Sequence, residues 1–267
     1  MREKLESAFL TNSMTLDDIK NINEFQTYLY RQSNIEPVQK VILDLSKTIC
    51  NTNNASELLY ILPSTQQLEN IQFYDRLKFI TINNYKIDKK NFEILKKYKD
   101  KLENVSHLHI WNIKQNDLDF VELFPNLTHL LVSYIRKADF SFNGLDKTKK
   151  LNTLCLISIN KIPDFNFLTT SQKPKLKNLS LEYTSNLKSF EGLDEFINLE
   201  NLSLFASTSE SRKTVTLENI NGIESLSKLK SFEIEYFKFD KTELQAKLKN
   251  LKNLIRYKLD RKDYDNL

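Results

Sequence analysis

Residues 143–156 read NGLDKTKKLNTLCL, residues 191–204 read EGLDEFINLENLSL, and residues 221–234 read NGIESLSKLKSFEI. Each stretch holds one glycine, and Gly144, Gly192 and Gly222 are the only glycines in the chain. Seven places after each glycine an aliphatic residue opens the pattern L-x-x-L-x-L: Leu151, Leu154, Leu156; Leu199, Leu202, Leu204; Leu229, Phe232, Ile234. Glycines in constant phase with one apolar pattern mark a structural repeat.

Working outward, the same pattern opens at Leu77, Val105, Leu127 and Leu176, and again at Leu254. A weaker copy begins at Val38 with Val41 and Leu43. Successive openings from Leu77 onward lie 22 to 30 residues apart. The fourth and sixth positions are apolar throughout, as in Ile80 and Ile82, Leu108 and Ile110, Leu130 and Val132. Alternation with period two makes a strand with one buried face, and stacked copies make a parallel sheet. The return segments are apolar at spaced positions too, as in Ile162, Phe165, Leu168 and in Leu187, Phe190, Leu193.

These motifs resemble the short-repeat leucine-rich class typified by bacterial internalins and phosphatase-regulator repeats, over roughly Leu77 to Leu259. The resemblance implies an α/β leucine-rich-repeat solenoid, a horseshoe with a parallel β-sheet on its concave face. It is specific for fold and says little about chemistry. The ninth position, usually asparagine in that class, is here Tyr85, Ile113, Ile135, Ile159, Thr184, Ser207 and Phe237. A continuous asparagine ladder is therefore missing, with Thr184 and Ser207 as local substitutes.

Between strands, Asp88 is expected to cap a helix through Phe92, Leu95 and Tyr98, and residues 117–124 a shorter one. Ser56 is expected to cap a short helix through Leu59 and Leu62, ended by Pro63; Ser64 or Thr65 starts another through Leu68 and Ile71. Helical spacing over Ile19, Ile22, Phe25 and Leu29 makes residues 1–36 a helical N-terminal cap; residues 37–267 form the repeat array of the same single domain. Thr242 to Leu251 reads as a last helix, followed by a closing strand with Tyr257 and Leu259. Extra residues in the copy opening at Leu199 fall around Ser207 to Val215, a polar loop directly after the strand.

Lys and Arg number 39 against 35 Asp and Glu, so the near balance does not demand an anionic partner. Cys50 and Cys155 are the only cysteines, which excludes a disulfide framework and fits a reducing compartment. The first ten residues have no apolar core of a signal peptide, and no apolar run approaches spanning length. The expectation is a cytoplasmic bacterial protein, monomeric on its own, with no membrane and no nucleic-acid partner.

Side chains between the buried leucines are expected to face solvent in the hollow of the sheet. That row of candidates comprises His107, His109, Trp111, His129, Leu131, Tyr134, Ile157, Glu182, Tyr183, Phe205, Glu233, Glu235 and Tyr236. Aromatics in a connected strip are the usual anchors of a protein interface. The glutamates favour a partner with a basic patch. The function expected is a non-enzymatic binding module, as in an immunity or inhibitor protein, an adaptor or an effector, with no catalytic residue and no cofactor. The alternative is a metal-dependent enzyme, or a metal-binding protein, built on His107, His109 and His129.

Overall fold

The structure is a computed structural model that describes residues 58–61, 68, 71, 79–83, 87–111, 114–135, 139–159, 161–207, 213–260 and 262–265. The helical cap over residues 1–36 and the weak copy at Val38 lie outside the described residues, as do the side chain of Trp111 and residue Tyr85. The described chain divides into two compact units. One runs to Ser133 and includes Asp139–Lys150; the other holds Tyr134 and Ile135 and continues from Leu151.

In the first unit, β1 (Leu58–Ile61), β2 (Phe79–Asn83), β3 (His107–Trp111) and β4 (His129–Ser133) pair in parallel in that order. Ile80, Ile82, Leu108, Ile110, Leu130 and Val132 fill the core at no more than 2% exposure. The return from β2 carries helix α1 (Lys89–Lys97), whose first turn is capped by Asp88 accepting from the Asn91 N–H at 3.0 Å. A short helix α2 (Lys99–Leu102) follows. The next returns are 3-10 turns at Asp119–Leu123 and Leu145–Lys147. Gly144 enters the second turn at φ 96°, and a Cβ there would lie 2.4 Å from the Leu118 carbonyl oxygen. The repeat therefore needs glycine at this point twice over, for conformation and for space.

β1 corrects the expected helix through Leu59 and Leu62. Leu59 and Ile61 instead stand in register with Ile80 and Ile82. The unpaired backbone groups along the β2 edge supply a ladder that a four-residue segment cannot match by local helical bonding. Leu68 and Ile71 are fully buried, as their apolar spacing requires.

The second unit repeats the arrangement with β5 (Thr153–Ile157), β6 (Asn178–Glu182), β7 (Asn201–Phe205), β9 (Ser231–Glu235) and β11 (Arg256–Leu259), all parallel. β12 (Lys262–Asp265) adds antiparallel to β11. The extra residues after β7 return as β8 (Val215–Thr216), which pairs with β10 (Phe237–Lys238) beside the main sheet. Helix α3 (Lys241–Lys249) is capped by Asp240, which accepts from the Thr242 and Glu243 N–H groups. The core is aromatic as well as leucine-rich: Phe165 meets Phe190 and Phe196 edge-on, both with ring centroids 5.8 Å away.

A different polar ladder takes the place of the missing one. Asn126, Asn198 and Asn253 each stand one residue before a repeat opening. Their side-chain amides donate to the backbone carbonyls of Glu103, Pro174 and Ser227 at 2.6, 2.7 and 2.7 Å. Each accepting carbonyl lies two residues before the preceding opening, so the bond ties repeat to repeat. Lys150 and Lys228 extend it, donating to Asn126 Oδ1 and Asn198 Oδ1 at 2.5 Å. Thr184, expected to substitute at the ninth position, does not do so: its Oγ1 is buried and bonded to nothing.

Candidate functional site

Strand alternation puts odd-numbered repeat positions on the face turned away from the leucines, here termed the far face. In the second unit, register aligns three rows across it. The third position gives Thr153, Asn178, Asn201 and Ser231; the fifth gives Cys155, Ser180, Ser203, Glu233 and Lys258; the seventh gives Ile157, Glu182, Phe205 and Glu235. The first row is stitched by side chains. Asn178 donates to Thr153 Oγ1 at 2.8 Å, and Asn201 donates to Asn178 Oδ1 at 2.6 Å.

The carboxylates sit lower than the sequence implies. Glu182, Glu233 and Glu235 are 2%, 8% and 5% exposed. Leu131, Ile157 and Phe205 are likewise buried, which corrects the expectation that they face solvent. Parallel strands lie roughly 4.8 Å apart, so in-register side chains stand shoulder to shoulder and shield one another. Lys258, which the sequence reading passed over, bridges two of the acids: its Nζ donates to Glu233 Oε1 at 2.7 Å and lies 2.9 Å from Glu235 Oε1. Its place between Tyr257 and Leu259 was the available signal, since alternation turns it onto the acidic face.

Electrostatics follow from that burial. Burial, helped by the charge of Glu233, pushes the Glu182 carboxyl up to about 8. Glu233 is also raised by burial, with Lys258 working against the rise. Burial works to lower Lys258, but its bonds to the two glutamates prevail and its ammonium is held above the ordinary range. Cys155 is raised well above the usual thiol by burial and then by Glu182, so it is no activated nucleophile.

In the second unit the half-exposed candidates are the tyrosines at the eighth position. Tyr134, Tyr183 and Tyr236 have φ of 57°, 54° and 64°, and Ser158 at the same position has 56°. The left-handed turn directs the Tyr134 N–H onto the Ile157 carbonyl and the Ser158 N–H onto the Glu182 carbonyl, both at 2.8 Å. Beside Tyr236 lies an open cavity of about 450 Å³ whose walls include Glu235, Phe237, Phe239, Lys241 and Asp260. Lys241 and Asp260 pair across it at 2.6 Å.

The histidines occupy the far face of the first unit. His107 and His129 stand in register, with ring centroids 4.2 Å apart and planes 8° from parallel. Each Nδ1 is 2.8 Å from the hydroxyl of the preceding residue, Ser106 or Thr128. His109 Nε2 is 3.3 Å from Ser133 Oγ. Stacked rings carry their lone pairs side by side rather than converging, which runs against joint ligation of one ion. Among the described residues no three His, Cys, Asp or Glu side chains are grouped to hold a metal. Burial, then the neighbouring His129, takes His107 down to about 3; burial takes His109 to about 4. Both imidazoles are neutral near pH 7.

No protein-family model and no curated protein matches the chain. Among solved structures it is similar to a leucine-rich-repeat protein of Leptospira interrogans, at 18% identity, covering 75% of this chain and 51% of that one, with a TM-score of 0.44. The match thus spans about half the length of the Leptospira protein. Internalin C2 of Listeria monocytogenes is similar at 16% identity over 60% of this chain and 73% of its own, with a TM-score of 0.35. Internalin F of the same organism is similar at 12% identity over 77% and 81%, with a TM-score of 0.29. The chain's own strands, in-register leucine rows and glycine-led turns give it a leucine-rich-repeat fold.

Proposed function

We propose that the chain is a non-enzymatic protein-binding module whose partner docks on the tyrosine row and far face of the second unit. One observation carries this reading: the same repeat position presents a half-exposed tyrosine in the left-handed region at Tyr134, Tyr183 and Tyr236. That conformation costs a non-glycine residue about 1 kcal/mol or more, and asparagine or glycine fill it more easily. Tyrosine adds what those residues lack, a large rigid surface with a polar tip suited to a partner interface.

Trp111, at the end of β3, is kept as a candidate contact of the first unit. Glu233 and Glu235 outnumber the single Lys258 that bridges them, which favours a partner with a basic patch, with the buried Glu182 beside them. Ile157 and Phe205 serve as packed floor rather than as protruding anchors. On the first unit, His107 and His109 contribute shape and hydrogen bonding as neutral rings, and His129 stacks on His107. Among the described residues no helix is long and apolar enough to cross a membrane. Toxin neutralisation, an adaptor role and an effector role would all use this one act of occupation.

The test is capture of a partner from the source organism, followed by titration calorimetry with the purified pair. Tyr183→Ala with Tyr236→Ala is expected to weaken binding at least about tenfold, the loss of a modest hot spot (about 1.4 kcal/mol). An unchanged affinity in the folded double variant overturns the assignment.

A further inference from the structure

We infer that the rim of the second unit where its strands begin docks on an anionic lipid membrane, held by a strip of lysines and by Ile197 and Ile255. The strip is separate from Tyr183 and Tyr236, which follow the other ends of their strands.

The repeat itself builds the strip. Leu176, Leu199, Leu229 and Leu254 open four successive copies, and each is at most 2% exposed. Residues on either side of a buried strand-entry leucine turn outward. Those after it are Lys177, Glu200, Lys230 and Ile255. Their backbones are tied in a row: the Glu200, Lys230 and Ile255 N–H groups donate to the carbonyls of Lys177, Glu200 and Lys230 at 2.8, 2.7 and 2.9 Å. Lys175 and Lys228 hold the place before the leucine in two copies. Ile197 and Lys252 stand one place further back in the other two.

These three positions over four copies hold five lysines and one acid. All five lysines are exposed. The acid, Glu200, sits between Lys177 and Lys230, at 3.4 and 2.6 Å from their Nζ atoms. It offsets one positive charge and leaves the strip strongly cationic. Attraction to anionic headgroups grows with each lysine and fades within a Debye length.

The apolar part selects a membrane among anionic partners. Ile197 and Ile255 are the exposed large hydrophobics among the described residues, at 53% and 66%. Both lie in this strip, and each has a lysine bonded beside it. Lys228 donates to the side chain of Asn198, next to Ile197, and the Ile255 N–H donates to the Lys230 carbonyl. Branched aliphatic side chains offer no ring for bases to stack on, so a nucleic acid would leave them in water. Protein interface cores draw on aromatics, methionine and arginine and are depleted in lysine. A lipid leaflet meets both features. Its acyl boundary takes the isoleucines, and the lysine stems lie along that boundary with their ammonium groups at the phosphates. Contact of this kind needs no spanning segment, and it departs from the membrane-free expectation of the sequence.

The experiment sediments the full chain with vesicles of phosphatidylcholine alone, or with about one third phosphatidylglycerol. Binding is expected on the anionic vesicles only, weakening at least about tenfold as salt rises from about 0.05 to 0.2 M. Lys175→Glu with Lys228→Glu should cut it at least about tenfold. Ile197→Ser with Ile255→Ser keeps every charge and should cut it about threefold or more. Ile197→Trp with Ile255→Trp should tighten it, since indole favours the headgroup layer. Three results would each overturn the inference: no binding to the anionic vesicles, undiminished binding by the serine variant, or equally tight binding to duplex DNA at the same phosphate concentration. Partner capture through Tyr183 and Tyr236 reads a different surface, so neither result decides the other.

Discussion

Lys173 Nζ lies 2.6 Å from Glu195 Oε1, with the lysine side chain 2% exposed and the glutamate 34%. The ammonium also donates to Asn166 Oδ1 at 3.2 Å. This ion pair joins successive return segments, and among the described residues each member has the other as its one charged partner. Glu195→Ala leaves the buried ammonium uncompensated and is expected to cost about 3 kcal/mol. Lys173→Met, which removes the charge and keeps the volume, is expected to cost about 1 kcal/mol or less. Urea unfolding of the two variants checks the order; a costlier Lys173→Met would refute it.

Glu182 makes stability fall as pH rises. Its folded value is about 8 against an ordinary 4.5, so the folded state holds a proton that the unfolded chain gives up. Its contribution is fully present below pH 4.5, declines between 4.5 and 8, and is lost above 8. Glu182→Gln removes the dependence and should raise stability near pH 7 by about 3 kcal/mol. Thermal melts at pH 5, 7 and 9 for both proteins give the test, with the gap widening from the first to the last.

Gly144 and Gly222 occupy the same repeat position and differ in surroundings. A Cβ on Gly144 meets the Leu118 carbonyl oxygen at 2.4 Å, whereas on Gly222 the nearest atom is the Asp194 nitrogen at 3.3 Å. Both have φ near 100°. Gly222→Ala is expected to cost about 1–2 kcal/mol for conformation alone. Gly144→Ala adds backbone displacement and is expected to cost about 3 kcal/mol or more. Chemical denaturation distinguishes them.

Tyr183→Asn separates stability from binding. Asparagine accepts φ of 54° more readily than tyrosine, so the variant is expected to gain about 0.5–1 kcal/mol. The same change removes an anchor and should weaken the partner complex several-fold. A variant that is both less stable and equally tight in binding contradicts the proposed role of the row.

The strand positions were legible in the residues alone. Each of β2, β3, β4, β5, β6, β7, β9 and β11 begins two residues after an opening of the leucine pattern. Period-two burial and a glycine-led turn are local constraints, and local constraints are written in local sequence. The Asp88 cap and the helix after β10 were readable for the same reason. The far face was not. Which of its side chains are buried depends on the size of neighbours 22 to 30 residues away in sequence, brought into register by the sheet. Lys258 meeting Glu233 and Glu235, His107 stacking on His129, and β1 joining β2 instead of coiling are all non-local pairings of this kind. The repeat pattern set the fold because each repeat obeys the same short-range rules; the tertiary structure decided the chemistry of the face because that chemistry arises only between repeats.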